Sequence, residues 1–198
     1  MTLEFINDIN RTSNITTYII LLILLYFNNI SYNYIFKLFI NDLIINKTLK
    51  NLIFKPLIGN KTIPILGTGI RPPGAMNCGS FRDNLFNSTI IPSISKSYGF
   101  PSGHAQTMGY FMTFIYSHFR NKPLIFLPFL LYSIYISYTR VQLGCHTVQQ
   151  VISGYIFGIL SYYLIDYIYD KIVYLLNTIY YKIKYFFNDE AFQNNKNN

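Results

Sequence analysis

The chain is predicted to be all-α, a polytopic membrane bundle of about five to six helices. Three observations predict this. Hydrophobic residues fill 51% of the 198 positions and charged residues only 12%, against ~25% charged in soluble domains. The apolar residues fall in long runs, not in the short alternations of a soluble sheet. Tyr (19) and Phe (17) are abundant, and tyrosine suits helix ends at the headgroup level.

The elements follow in order. Residues 1–13 are polar and read as a partly ordered N-terminus. Ile15 to Phe27 is apolar and forms a first helix, short for a span unless flanking residues contribute. Asn28-Asn29 marks a turn. A second helix runs from about Ile30 to Phe54, interrupted by Lys37 and Asp42, which point either to interior partners or to an interfacial stretch. Eight Pro and Gly residues between Pro56 and Gly74 then break regular structure. They open a long loop, 57–100, of the kind that is usually functional. Ser102 can cap a third helix over about 103–119. Arg120-Asn121-Lys122-Pro123 makes a tight turn, and a fourth helix covers about 124–139. Arg140 to Cys145, with Gly144, is a second loop. A fifth helix runs from His146 to Ile165. Asp166 and Asp170 interrupt the apolar pattern, and 167–187 reads as a sixth segment. The tail from 188 is polar. Residues 14–187 thus form one membrane domain between a polar N-terminus and a polar tail (188–198).

If the first five helices each cross once, the 57–100 loop and the 140–146 loop emerge on the same face. The Arg120/Lys122 turn and Lys171, Lys182 and Lys184 favour the opposite face as cytosolic. The loops then face a lumen or the exterior, and an endomembrane such as the ER is favoured. The first helix lacks a following cleavage site and reads as retained. Net charge is +8, but the basic residues are scattered between apolar spans. Bilayer anchors and an anionic substrate account for them better than nucleic acid does. The two cysteines, Cys78 and Cys145, match no zinc spacing. Both lie on the loop face, where an oxidising compartment would allow them to pair or to remain free thiols.

Two clusters carry chemistry. Pro101-Ser102-Gly103-His104 stands at a helix start, where unpaired N–H groups favour an anion. Gly103 admits phosphate close to the backbone, the Ser102 hydroxyl can donate to it, and His104 can act as general acid. The plain alternative is a helix cap followed by an interfacial histidine. In the second cluster, Arg140 can grip phosphate bidentately. Gln150 lies one turn after His146, so its amide oxygen can accept the Nδ1–H of His146 and leave Nε2 as a nucleophile. The alternative is an arginine and a histidine snorkelling at the bilayer edge. Arg71, in the long loop, is either a second phosphate clamp or a solvated arginine. The third histidine, His118, falls on the other face and reads as interfacial.

The order Arg71-Pro72, Pro101-Ser102-Gly103-His104, Arg140-x5-His146 resembles the type 2 phosphatidic acid phosphatase (PAP2) superfamily, which shares its site with vanadium haloperoxidases. The resemblance covers about residues 46–165. It implies a PAP2/haloperoxidase-like fold and a hydrolase that needs no metal and no cofactor. Arg71 and Arg140 would bind phosphate, Ser102 and Gly103 would cradle it, His104 would protonate the leaving group, and His146 would form a phosphohistidine. The family's lysine, seven residues before the arginine, is replaced here by Pro64. Lys50 is favoured over Lys61 as its substitute, with 57–70 as an insertion. Thr139 stands where the family has serine, and Gln150 where it usually has aspartate. The stretch from Tyr138 to Gln150 is most similar to the dolichyl diphosphatase branch, which also carries Gln. The implied partners are the bilayer and a polyprenyl diphosphate or related lipid phosphate. Alternatives are a phosphatidate or sphingoid phosphate substrate, or a non-catalytic lipid-binding protein on the same fold.

Overall fold

The computed structural model describes residues 3–76, 78, 95 and 97–194, and these described residues form five helical stretches and one small hairpin. Helix α1 is Leu3–Phe27. It contains no Gly or Pro, so the polar segment expected to precede the helix is helical and continuous with it.

The second stretch, α2, is compound. It comprises Asn33–Ile40, a π-helical turn Asn41–Ile45, Asn46–Thr48, a second π-helical turn Leu49–Phe54, and Lys55–Ile58. A π turn bonds at i→i+5, so Asn41 and Asn46, five residues apart, share a face, and both are buried. An unbroken α-helix would have sent them to different sides. Pro56 cannot donate to the helical ladder and follows the second π turn. The stretch ends at Gly59, whose φ of 55° suits a residue without Cβ.

A hairpin of β1 (Thr62–Ile63) and β2 (Gly67–Thr68) follows, antiparallel, with Thr62 opposite Thr68 and Ile63 opposite Gly67. The region expected as an irregular insertion is therefore partly ordered. Much of the remaining 57–100 loop lies outside the described residues.

Helix α3, Gly103–Phe119, is buried around most of its circumference and forms the core. Helix α4 is Pro123–Gln142, with Pro123 in its first turn, where no N–H is needed. Its exposed residues Leu124, Leu127, Leu131, Ile134 and Tyr138 recur at helical spacing. Helix α5 is Val148–Asn194. Ile152, Ile156 and Leu160 make a similar exposed apolar stripe on it. Apolar residues outside and amides inside are the arrangement a bilayer selects. By length and apolarity, α4 and residues Val148–Lys182 qualify as membrane spans, and Ile15–Phe27 is a shorter apolar helix. The sequence reading placed a break near Asp166, but α5 runs through it. Acidic side chains cost little helix propensity on an exposed face, and no Gly or Pro follows Gly158. The chain divides into two compact units, Met1–Tyr162 and Tyr163–Asn198. The helical bundle and all the groups discussed below belong to the first.

Within that unit α3 and α5 approach so closely that only glycine fits. A Cβ on Gly109 would lie 2.1 Å from the Tyr155 carbonyl oxygen, and one on Gly158 would lie 2.1 Å from that of Gln106. One on Gly154 would lie 2.4 Å from the Ser102 carbonyl oxygen. The Gly154-x3-Gly158 spacing is the small-residue interface of membrane helices.

Amides satisfy one another in the interior. Asn46 Nδ2 donates to Gln106 Oε1 (2.7 Å), Gln106 Nε2 donates to Asn41 Oδ1 (3.0 Å), and Ser161 Oγ donates to Asn41 Oδ1 (2.5 Å). The Asp42 carboxylate accepts from Asn41 Nδ2 (2.8 Å), Thr107 Oγ1 (2.8 Å) and Tyr18 OH (3.1 Å). Asp42 thus takes the interior alternative left open by the sequence, and its network ties α1, α2 and α3 together beneath the first turn of α3.

Candidate active site

Helix α5 begins with a capping box. Thr147 Oγ1 accepts from the Gln150 N–H (3.3 Å), and Gln150 Oε1 accepts from the Thr147 N–H (3.3 Å). The same Oε1 lies 3.0 Å from His146 Nδ1. The far side of the Gln150 amide decides its orientation. Nε2 donates to two carbonyls of the hairpin arm, Thr68 O (2.8 Å) and Ile70 O (2.7 Å). Two acceptors require the NH2 end there, so the oxygen must face His146. His146 Nδ1 therefore carries the proton, and Nε2 carries a lone pair.

That lone pair meets Arg71, whose Nη1 donates to His146 Nε2 at 3.0 Å. The rest of the Arg71 guanidinium is equally engaged. Nη1 also donates to Cys145 O (2.9 Å), Nε to Ser97 O (3.1 Å), and Nη2 to Ser97 Oγ (2.8 Å) and Cys78 O (3.4 Å). Arg140, 1% exposed, donates from Nη2 to Cys78 O (3.2 Å). Its own carbonyl accepts the N–H groups of Cys145 and His146, both at 3.1 Å. A turn at Gly144 (φ 63°) thus folds His146 back over Arg140.

The Pro101–His104 cluster joins through α5. The Ser102 N–H donates to the Gln150 carbonyl (3.0 Å). Ser102 occupies the N-cap position of α3, but its side chain makes no capping bond, contrary to expectation. Its Oγ is instead buried without a hydrogen-bond partner among the described residues. An unpartnered buried hydroxyl beside open helix N–H groups is a place an anion would fill. Gly103 serves a second purpose, since a Cβ there would lie 3.1 Å from Asn46 Oδ1. His104, 5% exposed, feels the charges of Arg140, Arg71 and Lys50.

Of the two candidate lysines, Lys50 is the one whose charge is felt by this cluster. Its charge bears on Arg71, Arg140, His104 and His146, whereas Lys61 is exposed beside the hairpin. The second π turn, which contains Lys50, is part of how α2 delivers it. Burial above all, then the charges of Arg71, Arg140 and Lys50, hold the His146 imidazole well below the usual histidine range, with the Gln150 bond opposing. His146 is neutral at pH 7.

Hydrogen bonds join Arg71, Arg140, His146, Gln150 and Ser102; Gly103 and His104 follow Ser102 in the first turn of α3, and the charge of Lys50 bears on this group. Thr139 does not contribute its hydroxyl, which bonds back to Ile136 O (2.8 Å). His118 packs on Tyr34 and Phe114 outside the cluster. Arg71, Arg140 and Lys50 around two histidines make a pocket for an anion. Among the described residues no group of three or more His, Cys, Asp or Glu side chains could hold a metal.

Several groups escaped the sequence reading. Ser97 holds Arg71 by both its carbonyl and its hydroxyl, and nothing in the sequence marks it. The Thr147-x-x-Gln150 capping box was visible as a pattern. Cys78 and Cys145, whose pairing the sequence left open, form a disulfide with Cα atoms 5.5 Å apart.

Comparison with known proteins shows the family and the fold. A family model described as the PAP2 superfamily matches residues 17–174. Among solved structures, the fold is similar to the crystal structure of the first transmembrane PAP2-type phosphatidylglycerolphosphate phosphatase from Bacillus subtilis. The TM-score is 0.51 and the sequence identity 20%, over 85% of this chain and 75% of that one.

Proposed function

The chain belongs to the PAP2 superfamily of membrane phosphatases, and on that premise we propose that it hydrolyses a polyprenyl diphosphate of the dolichyl type through a phosphohistidine, without a metal. The observation that carries this reading is the fixed tautomer of His146, with Nδ1–H on Gln150 and Nε2 directed at Arg71.

The substrate phosphate enters among Lys50, Arg71 and Arg140, with Ser102 Oγ and the α3 N-terminus donating to its oxygens. It replaces His146 as a partner of Arg71, which uncovers the Nε2 lone pair. His104 takes up a proton as the anionic phosphate binds beside it; Nε2 attacks phosphorus, the bond to the leaving oxygen breaks, and His104 passes that proton to the leaving oxygen. His104, now neutral, accepts a proton from water, which attacks the phosphohistidine, releases phosphate and restores His146. The cations stabilise the charge on the phosphoryl oxygens throughout. Gln150, neutral where the family usually has a carboxylate, orients the ring without raising its basicity, and it is the feature that favours the dolichyl branch.

The Cys78–Cys145 bridge supports a site on an oxidising side, such as an endomembrane lumen. Exposed apolar stripes on α4 and α5 give a lipid tail a route along the bundle to the headgroup pocket.

The test is phosphate release by purified protein with EDTA present, from dolichyl diphosphate, phosphatidate, a sphingoid phosphate and phosphatidylglycerol phosphate. Vanadate-sensitive, His146-dependent release, fastest on dolichyl diphosphate, is expected. Release fastest on another member of the panel overturns the substrate assignment. Lipid binding equal in wild type and His146→Ala, with no turnover, overturns catalysis and leaves a lipid-binding protein.

A further inference from the structure

The two cysteine carbonyls hold both arginines of the pocket. Cys78 O accepts from Arg71 Nη2 (3.4 Å) and from Arg140 Nη2 (3.2 Å), and Cys145 O accepts from Arg71 Nη1 (2.9 Å). Cys145 also directly precedes His146, and its N–H shares the Arg140 carbonyl with that of His146. We propose that the Cys78–Cys145 bridge is a positioning device for phosphate binding, which sets the spacing and aim of Arg71 and Arg140 through the backbone of the bridged residues. The proposal rests on the reading above that these arginines grip phosphate.

Three segments must meet for this geometry: the loop at Arg71, the loop at Cys78, and the α4–α5 turn. Cys78 and Cys145 are 67 positions apart, and the bridge removes their freedom to separate. Both are buried, in a small cluster with Ala75 and against Leu143. The Cys78 N–H donates to Ser95 Oγ (2.8 Å), so Cys78 is tied through its backbone N–H as well as through its sulfur.

The partners of Arg71 divide into two kinds. Cys145 O, Cys78 O and Ser97 O are backbone acceptors that stay in place when substrate arrives. His146 Nε2 and Ser97 Oγ are side-chain acceptors that can turn away. A guanidinium held on carbonyls keeps its plane while it exchanges side-chain partners for phosphate oxygens. Without the bridge, Cys78 O, an acceptor shared by both arginines, is free to drift. The arginines then lose their shared reference, and a misplacement of about 1 Å costs of the order of 100-fold in a preorganised site.

The experiment compares wild type with Cys78→Ala/Cys145→Ala in detergent or nanodiscs. We expect KM and the inhibition constant for orthovanadate each to rise about 10- to 100-fold, with a smaller loss in kcat per folded site. The acid limb of kcat/KM should move up in pH as the charges of Arg71 and Arg140 loosen beside His146, with Lys50 unchanged. A purely structural bridge would lower the thermal midpoint and the active fraction but leave KM, vanadate affinity and the pH profile as they are, and that result overturns the proposal. Two free thiols in non-reduced, alkylated wild type also overturn it.

If the double variant does not fold, folded wild type opened by a dithiol gives the same comparison. The dithiol passes two electrons and two protons to the bridge and becomes a cyclic disulfide, and opening is verified by mass. Orthovanadate binding measured by calorimetry separates this proposal from the catalytic one. If no lipid phosphate is hydrolysed, the phosphatase reading fails, while equal vanadate affinity with and without the bridge still overturns the positioning role.

Discussion

Replacing Gln150 by glutamate tests the central geometry at a definite cost in stability. Glutamate keeps the capping box, since a carboxylate oxygen can accept from both the Thr147 N–H and His146 Nδ1–H. It replaces the NH2 group that donates to Thr68 O and Ile70 O, at 2.8 and 2.7 Å, by a carboxylate oxygen that cannot donate and that both carbonyls repel. Leaving a buried carbonyl unpaired costs about 1–3 kcal/mol. Ile70 is 43% exposed, so water relieves part of its share, and the sum comes to about 2–4 kcal/mol. The chemical effect is larger and has a definite sign. In the wild type His146 is held well below the usual histidine range by burial and by Arg71, Arg140 and Lys50. It therefore stays neutral and nucleophilic as pH falls through 6.5, the value of an unperturbed histidine. A carboxylate 3 Å away favours the imidazolium and raises its pKa by about 1–3 units. The acid limb of kcat/KM, which reports the free enzyme, should therefore move up by about 1–3 pH units in Gln150→Glu. Comparing both enzymes on one substrate cancels the ionisation of the phosphate itself. A lower thermal midpoint with an unmoved acid limb would refute the assignment of His146 as the titrating nucleophile and of Gln150 as its partner.

Two further outcomes follow from the same structure. His104→Ala should lose about 10²- to 10⁴-fold on a lipid diphosphate but much less on p-nitrophenyl phosphate, whose leaving group needs no proton; His146→Ala should lose activity on both, and equal losses for the two variants on both substrates would remove His104 from the acid role. Gly158→Ala should cost about 1–3 kcal/mol or more, because its Cβ would meet the Gln106 carbonyl oxygen at 2.1 Å; an unchanged thermal midpoint in detergent would show that α3 and α5 are not in the close contact described.

What could be read in the sequence, and what could not, divides along a physical line. His146 and Gln150 lie one helical turn apart, so their contact follows from the period of the helix alone. The meeting of Arg71, Ser102 and His146 on one face followed from counting crossings, because alternate loops of a membrane bundle share a side. The choice of Lys50 over Lys61 was legible only in part. Its place near the end of the second helix, after Asn46, favoured Lys50 by resemblance to the family, although spacing from Arg71 did not, and Lys50 lies in a π turn that no propensity announces. Asp166 and Asp170 misled because charge was taken as a break, whereas backbone geometry ends helices and charge on an exposed face does not. Least legible of all was the set of groups that hold Arg71. Three of its five acceptors named above, at Ser97, Cys78 and Cys145, are backbone carbonyls, and every residue has one. A carbonyl becomes specific only through the fold that aims it. The disulfide matters here because it converts two anonymous carbonyls into fixed acceptors, and thiols, unlike carbonyls, leave a mark in the sequence. The pairing of Cys78 with Cys145 was thus the one trace of this second layer that the sequence held, and its meaning depended on knowing which side chains leaned on the bridge.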